Sequence, residues 1–449
     1  MMLKKTMVMV AAFAAAIATS LTTATVASAD PSIAGTFNKL TPTRLLDTRS
    51  HIGSSTTLKP QQTLSFNATV GIDAPVNAVA LTITAVSPTG VGWLTVSPTG
   101  GTRPLASTVN FLPGRTTPNS TIVKTGTGGS VDVFNGSTGT VDVLADLTGY
   151  WTGGTVDPAV AGSMNTLTPT RIVDTRNGAG TPLAKKSTLK VPVEGHAGVP
   201  SANVSAVAVN LTVTNPTRSG WLTADSQTPP ADAQTSSLNF LPKQSRAALA
   251  VVPVNLDGTI SIYNGSDGTA AVVMDVLGYF NDGTPSVDGA YLPSTPFRAF
   301  DTRVVGGALS ALETRTFQVL PNDGVTPLIF KGLTVTVTAV TPQNAGFFTA
   351  WDGTTSLPAT SNGNFLANED SASTMIVPVN PNDGTVSVFN GSYGRVNIII
   401  DIDGLVLNNV TPPPAAGMAT AKAMTAGKSH TAVLKDAIAR IRALAAQHS

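Results

Sequence analysis

Arg44-Leu45-Leu46-Asp47-Thr48-Arg49 is written again as Arg171-Ile172-Val173-Asp174-Thr175-Arg176, and a third time as Arg298-Ala299-Phe300-Asp301-Thr302-Arg303. The step is constant at 127 residues (171 − 44 and 298 − 171). Other anchors nearly keep the same step. Gly92-Trp93-Leu94-Thr95 returns as Gly220-Trp221-Leu222-Thr223 and Gly346-Phe347-Phe348-Thr349. Asn135-Gly136-Ser137 returns as Asn264-Gly265-Ser266 and Asn390-Gly391-Ser392. A unit of this length is domain-sized, unlike the roughly 20–50-residue units of solenoids, which cannot bury a face alone. The repeat predicts three tandem β-modules, at 36–152, 164–280 and 290–407.

What surrounds them is read from composition. Lys4 and Lys5 precede an apolar run from Met7 to about Ile17, and Ala27-Ser28-Ala29 has the small residues of a cleavage site. Residues 1–29 are therefore expected to be a signal peptide and the protein to be secreted, with Asp30 as mature N-terminus. No later segment approaches the ~20 apolar residues of a spanning helix. Cysteine is absent, which rules out disulfide staples, thiolate nucleophiles and thiolate metal sites. Charged residues make up only 12% at a net charge of +1, so the chain carries no basic footprint for nucleic acid.

Within the first copy, strand-like runs fall near 45–49, 63–70, 79–86, 93–97, 108–112, 121–124, 131–134 and 141–147, punctuated by Gly, Pro and Asn. That pattern predicts an all-β fold, with each module an antiparallel sandwich or barrel. Val131–Phe134, Asn135-Gly136 and Val141–Val143 read as a hairpin, since both corner residues tolerate positive φ. Val272, Val273, Met274 and Val276 make the last strand of copy two apolar on both faces, as in a central strand. After Leu407 come Thr411-Pro412-Pro413-Pro414 and an Ala-rich stretch, so 411–449 reads as a linker and helical tail. From Ser429 to Gln447 the period is that of an amphipathic helix, with Leu434, Ile438, Ile441 and Ala445 on one face. The tail carries Lys422, Lys428, Lys435, Arg440 and Arg442 against Asp436. It is expected either to dock on the last module or to anchor the chain on an anionic polymer or membrane surface.

Taken with Asn110-Phe111 and the closing Asp146-Leu147-Thr148-Gly149-Tyr150-Trp151, the stretch Pro42-Thr43-Arg44-Leu45-Leu46-Asp47-Thr48-Arg49 resembles a β-module of secreted actinobacterial cell-surface proteins. The resemblance spans about 36–405. It implies architecture and an extracellular, wall-associated location, and brings no catalytic assignment. Copy two closes similarly with Tyr279-Phe280, whereas Asp401-Ile402-Asp403-Gly404-Leu405 in copy three lacks the aromatic pair.

Two sets of residues stand out. Asp146, Asp275 and Asp401 recur on an otherwise apolar strand and need partners. Arg44, Arg171 and Arg298 are the obvious ones, giving with Asp47, Asp174 and Asp301 a clasp between first and last strands. In a regular strand Asp47 and Arg49 would share one face, with Arg44 and Thr48 on the other. The same segment could instead form a polar ligand pocket. Candidate ligand contacts are Arg49, Arg176 and Arg303, with the aromatics Trp93, Trp221 and Phe347 as sugar platforms or as packing residues.

Catalytic signals are poor. His51, His196, His430 and His448 do not repeat, and no zinc, nucleophile-elbow or Walker pattern occurs. Asp257-Gly258 and Asp383-Gly384 look like turn corners rather than calcium loops. No catalytic residue, metal or cofactor is expected. The sequence thus points to a non-enzymatic surface protein whose partner is wall polysaccharide or another envelope polymer, with repeated weak sites gaining avidity. The alternatives are a structural or adhesive spacer that engages surface proteins or itself, and a wall hydrolase of unrecognised type.

Overall fold

The β-branched and Ala-rich runs of each copy form strands, and Gly, Pro, Asn and Asp take the corners. The computed structural model describes residues 34–54, 56–153, 163–176, 180–227, 235–282, 288–408 and 430–448. The expected signal peptide, the Pro-rich spacer and the side chain of Leu434 lie outside the described residues.

Repeat one contributes β1 (Ala34–Asp47), β2 (Thr63–Asn67), β3 (Val76–Val86), β4 (Gly92–Pro98), β5 (Val109–Phe111), β6 (Thr117–Lys124), β7 (Ser130–Asn135) and β8 (Asp142–Gly153). Repeat two contributes β9 (Met164–Asp174), β10 (Thr188–Pro192), β11 (Val204–Thr214), β12 (Gly220–Asp225), β13 (Leu238–Phe240), β14 (Arg246–Pro253), β15 (Thr259–Asn264) and β16 (Ala271–Asn281). Repeat three contributes β17 (Tyr291–Asp301), β18 (Thr314–Gln318), a helical turn α1 (Thr326–Ile329), β19 (Phe330–Val340), β20 (Gly346–Trp351), β21 (Gly363–Phe365), β22 (Ser371–Pro378), β23 (Thr385–Asn390) and β24 (Asn397–Leu407). A C-terminal helix, α2, covers His430–Ala445.

These strands make six four-stranded antiparallel sheets, two per repeat, in the orders β1-β8-β3-β6 and β2-β7-β4-β5 and their counterparts. The chain is all-β, but the expectation of three tandem sandwich or barrel-like modules is corrected. It is an assembly of six small sheets in which sequence neighbours such as β1 and β2 fall in different sheets, and the repeats are not separate units, because all three contribute to the largest core. The largest apolar cluster takes Phe37, Ile122 and Trp151 from repeat one, Met164, Leu249 and Phe280 from repeat two, and Tyr291 and much of repeat three. Edge strands β6, β14 and β22 each meet the other two, so the repeats close around one another. Ser120 donates to the Leu249 carbonyl (2.5 Å), Arg246 to that of Pro118 (3.3 Å), and Arg115 pairs with Glu369 (2.8 Å) across these junctions.

The aromatic end of each repeat explains the closure. Phe37 lies 5.0 Å from Trp151 and 4.3 Å from Phe280, and Trp151 lies 5.0 Å from Tyr291. In the register of the first and last strands, Phe37 faces Trp151, Met164 faces Phe280 and Tyr291 faces Val406. The aromatic missing at the end of copy three is thus replaced by Tyr291 at its start, whose hydroxyl bonds with that of Thr334 at 2.7 Å. Such ring contacts contribute about 0.5–1.5 kcal/mol each beyond burial.

Two local readings also change. β7 and β8 are not a hairpin: β7 pairs with β2 and β4, while β8 pairs with β1 and β3 as a central strand. Gly136 is not in the positive-φ region; its missing side chain makes room for the Trp93 ring, 2.2 Å from where a Cβ would stand. Asn135 ties the corner by donating to the carbonyls of Lys59 (3.0 Å) and Gly139 (2.8 Å).

Helix α2 docks on repeat three. Ala437 and Ile441 are buried in the shared core, with Ile438 packed against it. Arg440 pairs with Asp323 (3.0 Å), Arg442 donates to Ser294 (3.3 Å) and lies over the Phe297 ring, and the His448 carbonyl accepts from the Asp301 amide (3.0 Å). Two of the tail's cations thus face the protein rather than a membrane or wall polymer. Among the described residues no helix is long and apolar enough to cross a membrane.

Candidate functional site

The repeated arginines and aspartates come together in all three copies. Arg44 sends Nε and Nη2 to the two oxygens of Asp146 and Nη1 to Asp47 (3.2 Å). Arg171 reaches Asp275 (2.8 Å) and Asp174 (3.5 Å), and Arg298 reaches Asp401 (2.9 Å) and Asp301 (3.2 Å). Strand alternation alone would have separated Arg44 from Asp47. A register shift between Arg44 and Leu46 brings them to one side, and its counterpart does the same for Arg298 and Asp301.

The second arginine of each motif folds back on the same carboxylate. Arg49 meets Asp47 through Nε (3.0 Å) and Nη2 (2.8 Å), Arg176 meets Asp174 (2.9 and 2.5 Å), and Arg303 meets Asp301 (2.9 and 2.6 Å). Hydrogen bonds from Arg49 and Arg176 hold the Asp47 and Asp174 carboxyls down at about 2. Burial acts oppositely on Asp146, Asp275 and Asp401: it pushes each carboxyl up, and the facing arginine only partly offsets it. The threonine between completes the tie, since Thr48, Thr175 and Thr302 hydroxyls accept from the amides of Val143 (3.1 Å), Val272 (2.7 Å) and Ile398 (2.8 Å).

The aromatics do not form three free platforms. Trp93, Trp221 and Phe347 each lie against the glycine of the Asn-Gly-Ser corner, Gly136, Gly265 and Gly391. Trp221 is further covered by the Lys186 ammonium, 4.9 Å from the ring centre. Trp93 stays 39% exposed, and Phe347 is half-buried with its ring 6.1 Å from Phe389. The acidic turn corners also have internal partners: Asp257 pairs with Lys190 (2.6 Å) and Asp383 accepts from Thr385 (2.7 Å).

One junction combines both sets of candidates. Between repeats two and three lies a cleft of about 480 Å³, lined by Arg171, Arg176, Thr212, Phe347, Leu357, Thr360, Asn364 and Phe389, among others. The loop after β20 forms one wall, held by the Trp351 indole donating to the Thr355 carbonyl (3.1 Å) and by the Asn362 side chain accepting from the Ala350 amide (2.7 Å). The Ser361 carbonyl accepts from Asn210 and its amide donates to Asp275, so this wall is bolted to the Arg–Asp clasp of repeat two. Thr360 Oγ1 and Asn364 Oδ1 are buried and have no hydrogen-bond partner. A polar group left this way costs about 1–3 kcal/mol, which an incoming hydroxyl or amide can relieve.

Arg176 and Phe347 were singled out by the sequence separately. Their meeting across two repeats could not be read from it, because equivalent residues of one repeat lie at different junctions. Thr360, Asn364 and Phe389 were missed as site residues, although Asn364 and the Asn390-Gly391 corner beside Phe389 belong to repeated motifs.

No known protein family and no curated protein matches the chain. Among solved structures, one of the Sulfolobus turreted icosahedral virus aligns at 9% identity, covering 79% of this chain and 85% of that one, with a TM-score of 0.17. A second, of the triple jelly roll fold and turret assembly in an archaeal virus, aligns at 11% identity over 84% of this chain and 91% of that one, also with a TM-score of 0.17. Superposition at that level supports no conclusion about fold or function.

Proposed function

We propose that this is a secreted, non-enzymatic surface protein that binds a saccharide unit of a cell-wall or envelope polymer in the cleft between repeats two and three. The observation that carries this reading is the shared lining of the cleft by the Arg171–Arg176 face of one repeat and the Phe347–Phe389 pair of the next. The volume falls within the range of about 300–1,000 Å³ usual for small-ligand sites. Aromatic edges and faces suit the apolar side of a sugar ring, while Thr360 and Asn364 supply hydrogen-bonding atoms that have none. Arg171 and Arg176 are already paired with Asp275 and Asp174, so the cleft wall is close to neutral. That favours a neutral or N-acetylated sugar over a polyanion.

The resemblance of the repeats to secreted actinobacterial modules and the sequence of residues 1–29 point to the same location. Retention of the mature chain on a glycan array and on purified cell walls tests the reading. Binding that falls at least about tenfold in Phe347→Ala or Asn364→Ala, with an unchanged melting temperature, is the expected result. Absence of retention on any glycan overturns it.

A further inference from the structure

The corner that forms the cleft exists in other copies, and they differ. Thr349 Oγ1 donates to the Thr360 carbonyl as Thr95 Oγ1 does to that of Ala106 (2.8 Å). The Asn362 amide donates to the Phe348 carbonyl (2.8 Å) as the Thr108 amide does to that of Leu94 (2.7 Å). These bonds align Leu357-Pro358-Ala359-Thr360-Ser361 with Arg103-Pro104-Leu105-Ala106-Ser107, and Phe389 with Phe134. The loop of repeat one therefore stands against the clasp of repeat three as the loop of repeat three stands against that of repeat two. Arg298 Nη2 donates to the Leu105 carbonyl at 3.2 Å, which fixes the contact. The corresponding loop of repeat two includes 228–234, outside the described residues.

At the repeat-three/repeat-one corner the space is taken by the protein itself. The Arg103 guanidinium lies 3.7 Å from the centre of the Phe134 ring, which is only 4% exposed. At the open corner Leu357 stands where Arg103 would, is 41% exposed, and leaves Phe389 half-buried on the cleft wall. A leucine is shorter than an arginine and has no charge to place on a ring face.

We infer that the corner between repeats three and one is a second saccharide site held shut by Arg103, a built-in occupant of the position a ligand takes over Phe389. This rests on the saccharide reading of the open cleft. Of the two described corners, one is then an open site and the other a self-occupied one.

The test uses the full mature chain and chitobiose as probe, titrated calorimetrically, together with crystal structures of the variants. Arg103→Leu is expected to bind one chitobiose more per chain than wild type, and Leu357→Arg one fewer. Arg103→Leu should also show an empty cleft beside Phe134 of a size similar to the one beside Phe389. The same non-zero number of sites in wild type and Arg103→Leu overturns the inference and leaves the saccharide reading standing. If wild type binds no chitobiose, the saccharide reading for this sugar fails, and the structure of Arg103→Leu still decides. An open cleft there supports the self-occupied corner; a loop collapsed onto Phe134 overturns it.

Discussion

Arg44 and Asp146 face each other across β1 and β8, with the guanidinium forked onto both carboxylate oxygens and only 13% and 2% of the two side chains exposed. The pair sits where the first strand of a repeat is tied to its last. Removing the arginine strands a buried carboxylate, which costs about 3–5 kcal/mol where no water can reach it. Arg44→Ala and Arg298→Ala are expected to lower stability by about that amount in urea unfolding. Arg171 is 29% exposed, so Arg171→Ala should cost less. Equal effects in all three variants would show that burial does not govern the clasp.

Acid acts in opposite senses on the two sets of carboxylates. Asp47 and Asp174 have folded values near 2, below the 3.8 of an unpaired aspartate. A depressed carboxyl contributes stability that is complete above the unfolded value and lost as pH falls through the folded one. The melting temperature should therefore drop between about pH 4 and pH 2. Asp146, Asp275 and Asp401 are raised by burial and work in the opposite sense, favouring the fold as they protonate above pH 3.8. Because Arg49 and Arg176 are nearly half exposed, the low-pH loss is expected to amount to about 1 kcal/mol per site and to shrink at high salt. Melts at pH 4, 3 and 2 with and without 1 M salt check this; an Asp47→Asn chain that keeps the full acid sensitivity would contradict it.

Gly136→Ala places a methyl 2.2 Å from the Trp93 ring, and Gly391→Ala places one 2.4 Å from Phe347. Overpacking of this kind typically costs about 1–3 kcal/mol. The two variants should be destabilised alike, but only Gly391→Ala, which moves Phe347, should also weaken glycan retention. A matched loss of retention in both would separate binding from the cleft.

Excision of repeat one at 34–153 uncovers Phe37, Ala80, Ile122 and Trp151, which the intact chain buries against the other two repeats. The fragment is expected to self-associate, or to melt at least about 10 °C below the full chain, with red-shifted Trp151 fluorescence. A monomeric fragment that melts with the parent would show that the shared core contributes nothing.

Much of this protein was legible in its residues. The 127-residue step, the strand positions and the demand of Asp146, Asp275 and Asp401 for cationic partners all follow from local chemistry: a repeated polar residue on an apolar strand must be paired wherever the strand goes. The helix from His430 is likewise written in its apolar period. The sequence also nominated Arg176 and Phe347, though as separate candidates.

Tertiary structure alone decided how the six sheets face one another and which residues share a cleft. Alternation tells which side of a strand is buried but not what buries it, so Ala78, Ala80, Ala206 and Ala208 gave no sign that they pack against neighbouring repeats. The compensation of a missing closing aromatic by Tyr291 is likewise a matter of space, since the rings come from different repeats. So is the contrast between Arg103 and Leu357: as letters they are one difference among many between diverged copies, and only the Phe134 ring beneath the guanidinium gives it a consequence.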